Sequence, residues 1–210
     1  MATSSMSTRH VDDREETAVR GRILAAAFAA FMANGYAATS TLEIATRARV
    51  SKRDLYALVG NKQDMLMACI AERAKRFQVP ADLPVPRDRK SLERLLAAFG
   101  ARLLHEVSEP KVIAVFRLAI AEAANAPEVA RTLDSTGREA GRTALRNIMQ
   151  QARASGLLDG RPAELAEQFR ALLWGDLMVS LLLGVAERPN EREIARRARG
   201  AAADFLQLHQ

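Results

Sequence analysis

Apolar residues recur three or four positions apart along most of the chain, and almost no stretch alternates between apolar and polar side chains. From Thr17 this helical spacing continues to Asn34 and Gly35, a pair typical of a helix end. Glycines and prolines fall between the periodic segments, and the period of a strand is missing. The pattern therefore predicts an all-α protein whose first helix starts near Thr17.

Three signals for helix starts follow the first helix in quick succession. Each combines a capping side chain with an acid three residues later, so that the free N–H groups of a first turn find acceptors. The pairs are Ser40 with Glu43, Ser51 with Asp54, and Asn61 with Asp64. Their spacing predicts two-turn helices at about 41–48 and 52–58, and a longer helix from Lys62 to about Phe77. Because two-turn helices are not stable alone, we expect both to pack on the first helix.

The rest of the chain predicts a larger helical body, with about nine or ten helices in the whole protein. A proline-rich segment, PADLPVPRD, predicts a loop at 80–88. The later helices are expected at about 90–107, 110–124, 127–133, 136–155, 162–186 and 190–208. Prolines at 110, 127 and 162 suit first helical turns, and Asn190 with Glu193 forms a fourth capping pair.

Composition restricts the class of protein. The 210 residues are 49% hydrophobic and 27% charged, with a net charge of +6, which excludes disorder of the whole chain. Cys69 is the single cysteine, and with three histidines it offers no structural zinc cluster, so we expect no metal and no cofactor. The first 16 residues lack the apolar core of a signal peptide, and Leu172–Val185 is too short for a membrane span. A cytoplasmic protein without a membrane partner is expected.

The two short helices predict a nucleic-acid interface. A two-turn helix, a tight connection and a second two-turn helix braced by a longer one let one helix protrude into a DNA major groove. Lys52, Arg53 and Tyr56 share the outer side of the second helix, while Leu55 faces inward. A basic helix pair is also compatible with an ordinary solvated surface, so charge alone leaves DNA binding open.

The stretch from Gly35 to Leu66 resembles the DNA-binding region of TetR-family transcriptional regulators. The resemblance rests on Gly35-Tyr36, Thr39-Ser40, Ile44-Ala45, Val50-Ser51, Leu55-Tyr56, and Lys62 followed by Leu66. It implies phosphate contacts from Thr41, Tyr56 and Lys62 and base contacts from Lys52 and Arg53, with Ser51 in the same site. Two positions depart from the usual family pattern: Arg49 stands where glycine is common in the turn, and Val59-Gly60 where an aromatic residue is common.

The same resemblance implies that different segments of the chain have different functions. Residues 1–16 are interpreted as a mobile arm, 17–60 as the helix-turn-helix domain, and 61–210 as a ligand-binding and dimerisation domain. Helices at 136–155 and 162–186 are expected to form the seam of a homodimer that binds a palindromic operator in double-stranded DNA. The predicted function is a transcriptional repressor released by a small-molecule ligand. No catalytic motif is present, and the alternative is a helical protein-interaction adaptor with a basic face.

Candidates for the ligand pocket combine apolar, aromatic and sulfur side chains with one cation. They are Phe99, Leu103, Phe116, Arg117, Met149, Phe169, Trp174 and Met178. Such a set would suit an apolar molecule, with Arg117 facing an anionic group. The alternative is that these side chains form the helical core, with Arg117 paired to Glu122 or another acid.

Overall fold

A computed structural model describes residues 5–74 and 85–209, and the side chains within 15–72 and 85–209. All regular structure in these ranges is helical, which confirms the all-α prediction. The helices are α1 (Ser5–Asn34), α2 (Thr41–Ala48), α3 (Lys52–Leu58), α4 (Lys62–Ala74), α5 (Arg89–Val107), α6 (Pro110–Ala121), α7 (Pro127–Thr132), α8 (Glu139–Ala154), α9 (Pro162–Trp174), α10 (Leu177–Leu183) and α11 (Glu191–Leu208). A π-helical turn, Leu133–Arg138, connects α7 to α8.

The start of α1 differs from the prediction. The helix begins at Ser5, so the part of the predicted arm that the structure describes is helical. Adding a turn to an existing helix is much less costly than starting one, and the charged residues of this segment tolerate helix well. The predicted end of α4 at Phe77 and the first half of the proline-rich loop lie outside the described residues.

The structure has two helices, α9 and α10, where the sequence predicts one helix at 162–186. The helical conformation is interrupted at Gly175. This residue has φ +45° and ψ −128°, a conformation that favours glycine. Arg197 of α11 occupies the space beside it: a Cβ at Gly175 would lie 2.9 Å from Nη2 of Arg197. The same guanidinium donates to the carbonyls of Leu173 and Trp174, which satisfies the open end of α9.

The chain divides into two compact units. The first contains residues 1–72 and 118–134, and the second contains 73–117 and 135–210. The first unit thus includes residues 61–72 and 118–134, which the sequence-based division assigns to the second domain.

In the first unit, α2 and α3 bury their apolar sides. Helices this short need such packing to be stable. Ile44 of α2, Leu55 of α3 and Met65 of α4 are fully buried, as are Ile23 and Phe31 of α1. Burying such side chains stabilises the fold by about 1.5–3 kcal/mol each. The two-turn helices are held by this burial, because their own hydrogen bonds are too few.

The second unit is built around α5, α8, α9 and α11. Its core includes Leu96, Met149, Phe169 and Phe205, and the rings of the two phenylalanines meet edge to face at 5.7 Å. Arginines from other segments cap helix ends here. Arg89 donates to the carbonyls of Leu206 and His209 at the end of α11. Such contacts pair the last carbonyls of a helix with positive charge.

Candidate nucleic-acid interface

The predicted capping residues start α2 and α3. Oγ of Ser40 accepts from the backbone N–H of Glu43 at 3.1 Å. Oγ of Ser51 accepts from the backbone N–H of Asp54 at 3.0 Å and donates to Oδ2 of the same residue at 2.7 Å. Ser51, predicted within the DNA site, therefore uses its hydroxyl to fix the first turn of α3.

The fourth helix begins with a reciprocal cap. The backbone N–H of Asn61 donates to Oδ2 of Asp64 at 2.8 Å, while Oδ1 of Asn61 accepts from the backbone N–H of Asp64 at 3.1 Å. The capping pairs predicted at the starts of α2, α3 and α4 are thus all formed. Each fixes the residue at which its helix starts.

Arg49 makes the turn between α2 and α3. It adopts the left-handed conformation, with φ 55° and ψ 50°, and is the sole non-glycine residue with positive φ in the described part of the chain. Backbone N–H groups of Arg49 and Val50 donate to the carbonyls of Thr46 and Ala45 at 3.2 and 3.1 Å. These bonds close the helix end and fix the angle at which α3 leaves α2.

The outer side of α3 carries the predicted DNA-contacting residues. Lys52, Arg53 and Tyr56 are exposed, whereas Leu55 between them is fully buried. Oγ1 of Thr41, at the start of α2, lies 3.3 Å from the hydroxyl of Tyr56. The structure therefore brings Thr41, in the first turn of α2, next to Tyr56 on the outer side of α3.

Lys62 lies at the start of α4, but its ammonium group faces the α1–α2 loop, residues 35–40. It donates to the carbonyl oxygens of Tyr36, Ala37 and Thr39 at 3.0, 3.3 and 3.2 Å. It also lies 4.5 Å from the centroid of the Tyr36 ring. Because an ammonium group has three N–H donors, all of them are used within the protein.

The loop is also held by Thr39 and Glu122. The buried hydroxyl of Thr39 lies within hydrogen-bonding distance of the carbonyls of Gly35 and Ala30, at 2.7 and 3.2 Å. Oε1 of Glu122, just beyond α6, accepts from the backbone N–H of Ala37 at 3.0 Å. From the sequence, Glu122 is expected only as a partner for Arg117, which instead donates to the carbonyls of Leu181 and Leu182. Its one sequence signal is an acid that follows an apolar helix.

Tyr36 lies among these groups and is buried. Burial raises the pKa of its hydroxyl, and the nearby carboxylates of Glu128, Asp64 and Glu122 raise that pKa further. The phenol therefore stays neutral at physiological pH, and its ring packs 5.4 Å from the ring of Phe31. Tyr36 serves the loop as a packing residue.

The predicted pocket residues lie in the second unit, and half of them belong to its core. The buried ones are Phe99, Leu103, Met149 and Phe169, and Trp174 packs against them. Phe116 and Met178 are half-buried. Arg117 donates to the carbonyls of Leu181 and Leu182 at 2.8 and 3.0 Å, which caps the end of α10.

Two further properties bear on the class of protein. Among the described residues, no three histidine, cysteine, aspartate or glutamate side chains form a group that could hold a metal ion. Within the same ranges, no helix has the length and apolar character needed to cross a membrane.

A short helix with one buried side, a fixed turn and a second helix with exposed basic residues define the class of helix-turn-helix DNA-binding proteins. Two models of known protein families match the chain and agree with this class. Residues 23–69 match the family described as bacterial regulatory proteins, tetR family, and residues 94–209 match the AefR-like transcriptional repressor, C-terminal domain. The chain belongs to the TetR family of transcriptional regulators.

Solved structures are similar over nearly the whole chain. The flavonoid-responsive regulator FrrA is 30% identical, with a TM-score of 0.77 over 92% of this chain and 98% of that one. A TetR regulator from Agrobacterium tumefaciens is 28% identical, with a TM-score of 0.73 over 90% and 94%. One from Mesorhizobium loti shares the fold at 22% identity, with a TM-score of 0.72 over 92% and 98%. No curated protein sequence gives a significant match.

Proposed function

We propose that this protein is a homodimeric repressor that binds a palindromic operator through α3 and leaves it when a small molecule binds the second unit. The observation that carries the DNA-binding part is the arrangement on α3. Lys52 and Arg53 are exposed beside a buried Leu55, on a helix capped by Ser51 and set by the turn at Arg49. Base recognition in a major groove requires exposed basic side chains on a helix that is held in a fixed position.

We assign the residues of this surface to two roles. Lys52 and Arg53 read base edges, and the hydroxyls of Thr41 and Tyr56 contact phosphate. Lys62, for which the family resemblance implies a phosphate contact, acts through the α1–α2 loop, because its three donors hold that loop's carbonyls. The salt dependence of DNA binding by a Lys62 variant tests this assignment. If the variant loses a phosphate contact, its affinity should depend less steeply on salt concentration.

A homodimer is supported by an exposed apolar patch on α10 and just after it. Val179, Leu183 and Val185 are 52%, 71% and 75% exposed. Upstream on α9, the small residue Ala171 is exposed as well, and allows close approach. The exposed side of α8 is polar, as at Arg146. We therefore propose α10, with the end of α9 at Ala171, as the main dimer interface and do not extend it to α8.

The proposed ligand is a small, mostly apolar molecule. FrrA is by its name responsive to flavonoids, so a flavonoid is the first compound to test here. The half-buried side chains Phe116, Trp174 and Met178 are the contacts we propose, because fully buried core residues are less accessible to a ligand. Arg117 remains a candidate for an anionic group, although its guanidinium caps α10 in this structure.

Selection of bound fragments from a random duplex library tests the proposal. We expect one palindrome, bound by a dimer, with half-sites about 34–36 Å apart or a multiple of that spacing. Binding should weaken steeply as salt concentration rises. Enrichment of no sequence, or equal binding to all duplexes, would instead favour an adaptor whose basic face recruits an acidic protein.

A further inference from the structure

Glu122 is a buried acid with a polar contact far away in the sequence. Its side chain is 8% exposed, and Oε1 accepts from the backbone N–H of Ala37, 85 positions earlier, at 3.0 Å. Both residues belong to the first compact unit. A buried carboxylate without a compensating hydrogen bond would be costly, so this contact accounts for the acid at this position.

The backbone of Ala37 is held by opposite charges. Its N–H donates to the carboxylate of Glu122, and its carbonyl accepts from the ammonium group of Lys62 at 3.3 Å. Lys62 also holds the carbonyls of Tyr36 and Thr39 on the same loop. Hydrogen bonds with an ionised partner are about twice as strong as neutral ones, so these two residues restrict the loop tightly.

Gly35 makes the approach of Glu122 possible. A Cβ at this position would lie 2.9 Å from Oε1 of Glu122, closer than real Cβ contacts allow. The residue also has φ +82°, which favours glycine. Glycine at position 35 therefore ends α1 and leaves space for the carboxylate that holds the loop.

The α1–α2 loop determines where α2 begins. Ser40, the capping residue of α2, is the last residue of the loop, and Thr41 follows it directly. Oγ1 of Thr41 lies 3.3 Å from the hydroxyl of Tyr56 on α3. A shift of the loop would therefore move the first turn of α2 relative to the proposed DNA-contacting surface.

We propose that Glu122 is a positioning residue for operator binding: it fixes the peptide of Ala37 against Lys62 and so sets α2 for DNA. This inference rests on the proposed function. Glu122 contacts no base and no phosphate, so it acts on the geometry of the surface and leaves its charge contacts unchanged.

Two conservative variants distinguish the effect of the position of the Glu122 acceptor oxygen from the effect of its charge. Glu122→Gln keeps an acceptor oxygen at the same distance and removes the charge, whereas Glu122→Asp keeps the charge and withdraws the oxygen by one methylene. Glu128→Asp is the matched control, since Glu128 lies in the same unit and near the same tyrosine. The measured quantity is the ratio of affinities for the selected palindrome and an unrelated duplex, with amide hydrogen exchange of Ala37 alongside.

We expect E122D to lower the affinity ratio about tenfold, because it leaves a donor without its partner, and to speed exchange at Ala37. E122Q keeps an acceptor oxygen but loses the ionised partner, so we expect a smaller loss of about threefold and a smaller increase in exchange at Ala37. E128D should stay within about twofold of the wild-type ratio, with wild-type exchange at Ala37. Binding to the unrelated duplex should fall less than binding to the palindrome, because there the displaced α2 affects only the phosphate contact proposed for Thr41.

Wild-type values for E122D would overturn the inference, as would a loss for E122Q equal to that for E122D. Failure of the wild-type protein to select any palindrome would overturn the proposed function instead. In that case the exchange rate of Ala37 still decides whether Glu122 holds the loop.

Discussion

The hydroxyl of Tyr56 on α3 lies 3.3 Å from Oγ1 of Thr41 at the start of α2, so one hydrogen bond joins the two helices at their exposed side. The remaining capacity of both hydroxyls is available to DNA phosphate. We expect Tyr56→Phe and Thr41→Val each to weaken operator binding about five- to tenfold, since each removes a hydrogen bond on an exposed surface.

The double variant distinguishes one shared contact from two independent ones. If both hydroxyls act together, T41V/Y56F should cost little more than either change alone, a non-additivity that fluorescence anisotropy titrations would measure. Additive losses would show that each hydroxyl meets DNA separately. Unchanged affinity in all three variants would remove this pair from the interface.

Lys52 and Arg53 should determine which bases are preferred. We expect Lys52→Ala and Arg53→Ala to relax selection at particular positions of the half-site, by about 1–3 kcal/mol for a lost bidentate base contact. Repeating the duplex selection with each variant measures this. An unchanged consensus with uniformly weaker binding would assign both residues to phosphate.

Lys62 should stabilise the first unit. Lys62→Met leaves three loop carbonyls without their donor, and we expect the free energy of unfolding to fall by about 1–3 kcal/mol. Lys52→Met, on an exposed side chain with the same charge, is the control and should unfold like the wild type. Urea denaturation measures both.

The same Lys62 variant bears on DNA. If its ammonium group holds the loop alone, K62M should lower operator affinity without changing the slope of log affinity against log salt. Loss of a phosphate contact would reduce that slope by about one. The second result would restore the role that the family resemblance implies.

Arg49 should be replaceable by glycine with a gain in stability. A left-handed residue with a side chain costs about 1 kcal/mol relative to glycine, so Arg49→Gly should raise the melting temperature by about 2–4 °C. Differential scanning calorimetry measures the shift. A lower melting temperature would mean that the exposed arginine makes a contact whose loss exceeds the relieved strain.

Leu183 tests the proposed seam. A charge on this exposed apolar residue should oppose dimer formation, because the face of a second copy would have to bury it. We expect Leu183→Glu to sediment as a monomer and bind a full palindrome no better than a half-site. Leu42→Glu, at an exposed apolar residue of α2, is the control and should remain dimeric.

Asp88 should give α5 a pH-dependent contribution to stability. The backbone N–H of Ser91, and then its hydroxyl, hold the pKa of this carboxyl below its usual value of 3.8. A carboxylate with a lowered folded-state pKa stabilises the fold above the unfolded pKa, and this stabilisation is lost as pH falls through the folded pKa. Asp88→Ala should therefore melt below the wild type near neutral pH, with a gap that narrows as the pH falls below the usual carboxyl pKa of 3.8. A constant gap would assign the loss to the capping hydrogen bond itself, independent of the charge on Asp88.

The sequence by itself determined the local features of the interface. Ser40 and Ser51 could be placed as caps because a capping side chain and its backbone partner are three residues apart. The same holds for the inward Leu55 and the outward Lys52 and Arg53, since the helical period separates the two sides.

Tertiary structure alone decided what meets across long intervals of the chain. Lys62 turns toward a loop more than twenty positions away, and Glu122 holds a backbone amide 85 positions away. No local pattern encodes such partners, because they depend on how helices pack. The break at Gly175 has the same origin: apolar periodicity continues through it, and the reason for the turn is Arg197 from another helix.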